Sequence, residues 1–316
     1  MSDSSTVPLT VIGGFLGAGK TTLLNVLLAQ AYGRRIAVLV NDFGDLQIDA
    51  ALIAQRSATT IGLRNGCVCC SLAGGLVNAL SEVLALDPRP DHVVVEASGV
   101  SDPRRIAQVA RTGTGFSPEA TLVVVAADQI QTLAGDRYVG DTVIEQLAAA
   151  DLLVLNKVDL VDALRRQQVR EWLTTHAPHA TLIEACSGDV GIEIALGPMA
   201  SSGLFDGVNK NDHSDRFAAH VFRCTTPLSE TKLRQVLDQL PRSLLRLKGF
   251  VRLNSSPQRL RLVQGVGRRW AISEVASNID REGSALVVIG VKAQLGGEDL
   301  TGIRELFEAT ELNELS

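Results

Sequence analysis

Aromatic side chains are scarce in this chain, only 4% of 316 residues, so Val, Leu, Ile and Ala must supply most of the packing within its 46% hydrophobic content. Long apolar runs are missing as well. The most continuous ones, such as Thr121 to Ala127, have the length of a strand, and none approaches the roughly 20 apolar residues that a membrane-spanning helix requires. The opening residues, Met1-Ser2-Asp3-Ser4-Ser5-Thr6, carry no basic stretch leading into an apolar core, so they read as a polar tail rather than a secretory signal. Cysteine is uncommon too, with five in all, yet three of them crowd into Gly66-Cys67-Val68-Cys69-Cys70. Adjacent Cys69 and Cys70 do not suit a disulfide framework, and the expected setting is a reducing cytoplasm with no membrane partner.

Charge is nearly balanced, at −5 overall, but unevenly spread. Residues 1–216 hold 16 Lys/Arg against 24 Asp/Glu, while residues 217–316 hold 14 against 11. Between Gln239 and Ser273 there are eight basic residues and no acid. That stretch is either a solvated strand face or a docking surface for an acidic partner, where charge would speed encounter. Nucleic acid fits poorly, because only Phe250 and Trp270 interleave with the basic residues.

The length suits two domains. Up to residue 202, short apolar runs (Leu9–Ile12, Ile36–Asn41, His92–Glu96, Leu122–Ala126, Leu152–Asn156, Thr181–Glu184) alternate with helical patterns (Lys20–Gln30, Leu72–Leu86, Pro103–Arg111, Val139–Ala149, Leu164–Thr175). Runs apolar throughout predict strands covered on both faces, hence a doubly wound, mostly parallel α/β domain. Ligands of such folds sit beyond the carboxyl ends of the strands. Residues 203–216 are rich in Gly, Asn and Asp and read as a linker. Residues 217–316 change order, with strands at Ala218–Cys224, Ser243–Leu253, Leu260–Val263, Arg269–Ile272 and Ala285–Val291 and helices at Glu230–Gln239 and Gly302–Ala309. They predict a smaller α+β domain with an antiparallel sheet.

Gly14-Phe15-Leu16-Gly17-Ala18-Gly19-Lys20-Thr21 matches the P-loop pattern G-x-x-x-x-G-K-[ST], with a strand before it and a helix after. Glycine lets backbone N–H groups curl around phosphate oxygens. Gly14, Gly17, Ala18, Gly19 and Thr22 are therefore expected at the phosphates, Lys20 on the β- and γ-phosphates and Thr21 Oγ on Mg²⁺. Asn156-Lys157-Val158-Asp159 closes a strand about 135 residues later and matches N-K-x-D. A carboxylate at Asp159 can accept from both guanine N1–H and the exocyclic amine, an edge that adenine lacks. Lys157 can cover the base and Asn156 can hold the loop. The expected nucleotide is GTP.

Val93-Val94-Val95-Glu96-Ala97-Ser98-Gly99 ends a strand in an acid and then a glycine. Glu96 is expected near Mg²⁺, and Gly99 could offer its N–H to the γ-phosphate and move upon hydrolysis. No glutamine in this stretch stands out as water-positioning. Asp42 and Asp45, in Val40-Asn41-Asp42-Phe43-Gly44-Asp45, are hard-oxygen donors in the position of a first switch. Ser187-Gly188 falls where a short loop can back the base. Cys186 and Cys224 are expected in the core.

Cys67, Cys69 and Cys70 make a soft site suited to zinc, copper or cobalt. Three sulfurs do not close a tetrahedron, so a fourth ligand must come from Asp42, Asp45, a histidine or water. An open site suits a carrier that must release its metal. The rival readings are a redox thiol pair and buried packing thiols.

Taken together the motifs resemble the CobW-type GTPases. The resemblance rests on Gly13–Asn25, Val40–Gly44, Gly66–Ser71, Glu96–Pro103, Ala150–Leu160 and, in the second domain, Leu247-Lys248-Gly249-Phe250-Val251. It implies GTP hydrolysis coupled to delivery of zinc, or in some members cobalt or iron, to a client metalloprotein, with Cys67, Cys69 and Cys70 as the cargo ligands. Asp42 stands where the family commonly has glutamate. The linker has only His213 where many relatives carry a His-rich tract. A GTP-switched scaffold whose cysteines merely pack remains the alternative.

Overall fold

A computed structural model describes residues 6–31, 33–40, 59–62, 72–112, 115–198, 216–275, 283–295 and 298–308, with side chains omitted for 59–62 and 72–74. These residues fall into two compact units that divide between Leu196 and Gly197.

In the first unit, β1 (Val7–Gly13), β2 (Ile36–Val40), β3 (Thr59–Gly62), β4 (His92–Glu96), β5 (Phe116–Ala126), β6 (Leu152–Asn156) and β7 (Thr181–Glu184) form one sheet. It has seven strands in the order β3-β2-β4-β1-β5-β6-β7. Every pairing is parallel. β2, β4 and β6 are buried at all five of their positions, which is why their sequences show no alternation. The connecting helices are α1 (Lys20–Ala29), α2 (Leu72–Leu84), α3 (Pro103–Thr112), α4 (Ile130–Ala134), α5 (Gly140–Ala148), α6 (Ala163–His176) and α7 (Ile192–Leu196).

One sheet face carries Leu9, Val11, Val93 and Val95. These pack with Leu76, Leu80 and Val83 of α2 and Ile106 and Ala110 of α3. Further along the sheet, Val123, Val125, Leu153 and Leu155 meet Val143 and Leu147 of α5 and Val169 and Leu173 of α6. Helix α6 starts where Asp162 accepts from the Arg165 N–H, a side-chain cap.

The second unit is a five-stranded sheet in the order β11-β10-β9-β12-β8. Its strands are β8 (Phe217–Cys224), β9 (Leu244–Leu253), β10 (Ser256–Val266), β11 (Arg269–Glu274) and β12 (Ser284–Val291), all antiparallel. Helices α8 (Glu230–Asp238) and α9 (Thr301–Glu308) supply Leu233, Leu237, Ile303 and Phe307 to a core completed by Leu247, Val251, Val263, Leu286 and Val288.

Several elements depart from the expectation. β3 and the five-residue helices α4 and α7 went unread because they are too short to show a period. β5 begins at Phe116, not Leu122, and takes Pro118 in beside a register shift at Leu9/Thr10, where a strand tolerates a residue without an N–H. β10 runs from Ser256 and was expected only over Leu260–Val263, since its outer half is polar and only half-buried or exposed.

The basic stretch is not a uniform charged strip. Arg246 is only 1% exposed, and Arg261 is paired with Glu274 at 2.6 Å. Arg242, Arg259, Arg268 and Arg269 are exposed. Cys224 is buried as expected, whereas Cys186 is exposed, because it lies past the end of β7 in a loop. The linker read over 203–216 lies outside the described residues except for Arg216.

Candidate nucleotide site

β1 ends at Gly13 and α1 begins at Lys20, so the loop between them hangs from the central region of the sheet at the carboxyl ends of its strands. Three of its glycines have positive φ: 129° at Gly14, 74° at Gly17 and 102° at Gly19. Such angles suit glycine and strain other residues. Space restricts two of them further. A Cβ at Gly14 would strike the Val124 carbonyl, and one at Gly19 would strike the Asn156 side-chain amide. The loop is therefore wedged against the ends of β5 and β6, a tight nest of glycines leading straight into the N-terminus of α1. Such a nest at a helix N-terminus can hold phosphate oxygens.

Lys20 is only 8% exposed, and its Nζ donates to Phe15 O at 3.3 Å, folding back over the loop. Thr21 Oγ1 donates to Glu96 Oε1 at 2.9 Å. Glu96 is the last residue of β4 and is 3% exposed. A hydroxyl and a carboxylate meeting at the mouth of the loop form a pair of hard oxygen donors. Gly99 follows in the next turn, and a Cβ there would run into the Leu16 side chain, so this turn lies directly on the loop. Thr22 points to solvent and Ala18 is buried.

Asn156 joins three segments. Its Nδ2 donates to Ala18 O at 3.0 Å, and its Oδ1 accepts from the Gly188 N–H at 2.9 Å. Next to it, Lys157 has φ 60°. Asp159 Oδ1 accepts from the Cys186 thiol at 3.1 Å. Lys20, Thr21, Glu96, Gly99 and Asn156 thus gather around the glycine loop, with Lys157 and Asp159 just beyond Asn156 beside the Cys186–Gly188 loop. Cys67, Cys69, Cys70, Asp42 and Asp45 lie outside the described residues. Among the described residues no cluster of three or more His, Cys, Asp or Glu is arranged to hold a metal, and no helix is long and apolar enough to cross a membrane.

Gln146 was not foreseen. It is 2% exposed on α5, and its Nε2 donates to both Gly99 O, at 3.1 Å, and Ser101 O, at 3.0 Å. The sequence signal is faint: a polar residue standing in the apolar Val143/Leu147 stripe. Gln146→Leu keeps the volume but removes the donor from two carbonyls. It is expected to cost about 2 kcal/mol and to speed amide exchange selectively over Ser98–Ser101. Unchanged exchange in that turn would show that Gln146 does not tether it.

A parallel sheet with a glycine loop and helix at its central strand, an acid ending the neighbouring strand and Asn-Lys-Val-Asp closing β6 defines a P-loop GTPase. The chain belongs to the CobW family: residues 8–184 match the CobW/HypB/UreG nucleotide-binding domain and residues 217–310 match the cobalamin synthesis protein cobW C-terminal domain. It is similar to a protein named zinc chaperone CobW from Sinorhizobium sp, 32% identical and covering 90% of this chain and 93% of that one. A protein of the same name from Pseudomonas aeruginosa is 31% identical, with coverages of 92% and 89%. The zinc chaperone YjiA of Escherichia coli is 29% identical, with coverages of 90% and 94%. Among solved structures, zinc-bound YjiA GTPase from E. coli aligns at 22% identity and a TM-score of 0.45, covering 96% of this chain and 99% of that one.

Proposed function

We propose that this GTPase is a metallochaperone that binds zinc through Cys67, Cys69 and Cys70 and passes it to a client metalloprotein under control of the nucleotide. The names of the full-length relatives, zinc chaperones all, support zinc as the cargo. The observation that carries the reading in this chain is a register. Val40, the last residue of β2, lies opposite both Glu96 and Gly62. Asp42 is two residues beyond Val40, and Cys67 is five beyond Gly62. Five residues reach up to about 17 Å, and β3 and β4 stand about 10 Å apart across β2. The five residues from Gly62 to Cys67 are therefore enough chain to span the distance from β3 to Glu96.

The residues present fit Mg²⁺, because Thr21 Oγ1 and Glu96 Oε1 are oxygen donors of the kind that ion takes. Thr21 would ligate it and Glu96 would hold it directly or through water. When bound there, Mg²⁺ would supply positive charge against the phosphates. Lys20 turns from Phe15 O to those phosphates, and Asp159 takes the guanine edge. Gly99 donates its N–H to the γ-phosphate and relaxes once that group leaves. The client docks by an acidic surface against the exposed Arg242, Arg259, Arg268 and Arg269, which raises the association rate.

For nucleotide to swing the cargo site from nearly empty to nearly full, the two nucleotide states must differ by about 5.5 kcal/mol in their preference for the binding conformation. Linkage requires zinc to tighten GTP binding by the same factor. Anaerobic competition titrations with Zn²⁺, Co²⁺ and Fe²⁺, in the presence of a Mg-GTP analogue or GDP, test the coupling. The expected result is one zinc per chain, bound at least tenfold more tightly with the GTP analogue and lost in the Cys67→Ala/Cys69→Ala/Cys70→Ala variant. Equal zinc affinity in both nucleotide states would overturn the coupling. Zinc binding that survives the triple substitution would place the metal on other residues, whereas a triple variant that keeps partner binding and a metal-independent GTPase would favour a scaffold whose cysteines only pack.

A further inference from the structure

The turn after β4 is held at both ends by β1. The Ala97 N–H donates to Ile12 O at 2.8 Å, and the Pro103 ring occupies the place that a Cβ on Gly13 would need. Between these points lies Gly99, where a Cβ would strike Leu16 of the glycine loop. Glycine leaves a backbone looser than any other residue does. A glycine that must present its N–H in one direction therefore needs the peptides around it fixed from outside.

The bonds around Gly99 supply that restraint. Its N–H shares a trans peptide with Ser98 O, and in such a unit the two groups point in opposite directions. Ser98 O accepts from the Ser101 N–H at 3.0 Å and from Ser101 Oγ at 2.9 Å. On the other side, Gly99 O accepts from Gln146 Nε2 at 3.1 Å, and the same nitrogen reaches Ser101 O at 3.0 Å. Both carbonyls that flank the Gly99 N–H are thus engaged. The chain of bonds ends on α5, which Val143 and Leu147 anchor in the core. An amide buried in an apolar stripe is costly unless bonded, and this one spends its nitrogen on a single turn.

We propose that Gln146 is a positioning residue for the γ-phosphate, its two bonds holding the turn so that the Gly99 N–H faces that group and the site prefers GTP to GDP. This rests on the reading that the Gly99 N–H meets the γ-phosphate. GDP has no phosphate at that point and draws nothing from the turn. GTP gains a hydrogen bond to a charged oxygen, and the same N–H faces the charge that spreads over the γ-phosphoryl oxygens during transfer. Without Gln146 the Gly99 backbone must be ordered each time GTP binds, at an entropic cost.

The test compares dissociation constants for GDP and a β,γ-imido GTP analogue, with kcat and KM for GTP, in wild type, Gln146→Leu and Gln146→Met. Both variants keep the volume and remove the donor. The GTP analogue is expected to bind about tenfold more weakly and GDP to change by less than about twofold. Turnover falls by about tenfold as well. Equal weakening of both nucleotides would reduce Gln146 to a structural role and overturn the proposal. So would an unchanged preference for the GTP analogue in both variants. Replacing the Ser98–Gly99 peptide bond with an ester separates this from the reading of Gly99. The ester removes the N–H without adding a side chain, so it should weaken the GTP analogue and spare GDP. If the ester protein keeps its preference, the Gly99 reading fails and the role of Gln146 falls with it. If the ester loses the preference while the Leu and Met variants keep it, only the role of Gln146 falls.

Discussion

Lys20→Ala is expected to lower GTP turnover by about 10³-fold while leaving the chain folded. The side chain is almost wholly buried, and its ammonium rests 3.3 Å from the Phe15 carbonyl. That contact is long for a charged donor, which usually closes to about 2.8 Å. In the transition state of phosphoryl transfer the charge spreads over oxygens at this point, in a site walled by the loop backbone, where a fixed cation counts for far more than it would in water. Removing the ammonium takes away one fixed positive charge and leaves the rest to the N–H groups of the loop and of Gly99 and to the cation that Thr21 and Glu96 would hold. The measurements are kcat and KM for GTP, with thermal melting as the control for folding. Wild-type turnover in a folded Lys20→Ala protein would mean that the glycine loop is not the phosphate cradle.

Asn156→Ala is expected to act on stability and nucleotide together. One side chain supplies a donor to Ala18 O and an acceptor to the Gly188 N–H, both buried links. Truncation leaves two backbone groups without those partners, at about 1–3 kcal/mol each. The sum, about 3 kcal/mol after partial relaxation, corresponds to a melting point lower by roughly 10 °C in a unit of this size. Nucleotide affinity should fall at least tenfold, because the phosphate loop and the loop carrying Cys186 lose their common tie. Asn156→Asp keeps the acceptor for Gly188 but sets a carboxylate oxygen against the Ala18 carbonyl. It should therefore bind nucleotide no better than the Ala variant. Melting curves and a fluorescent GDP titration decide both points. A variant that melts lower but binds GDP normally would confine Asn156 to a structural role.

These residues were legible in the sequence for a physical reason. Phosphate and guanine recognition need particular backbone angles and donor sets, so Gly14–Thr21 and Asn156–Asp159 carry fixed patterns at fixed spacing. The strands buried on both faces were equally plain, since β2, β4 and β6 could be nothing but apolar. What escaped was pairwise. Gln146 meets Gly99 and Ser101, and Cys186 meets Asp159, only after α5 and β7 have packed, and no local pattern records a contact across 27 or more positions. For the eight basic residues between Gln239 and Ser273, composition left open a solvated strand face or a docking surface. It could not show that Arg246 is buried or that Arg261 pairs with Glu274, leaving Arg242, Arg259, Arg268 and Arg269 as the exposed ones.

The central position of β1 bears on how the chain comes to be folded. β1 is the first strand of the sheet to be synthesised, and its two neighbours are β4 and β5. It must wait, apolar and unpaired, until synthesis has passed Glu96 and Ala126. Sheets built from such distant pairings fold slowly and are exposed to aggregation meanwhile. Nucleotide can help only later still, because the glycine loop is braced by Asn156 and that residue by Gly188. A ligand that binds only the folded form stabilises by mass action. Cellular GTP would therefore protect chains that have been made past Gly188 and give nothing to shorter ones, so that nucleotide occupancy itself separates finished first domains from incomplete ones.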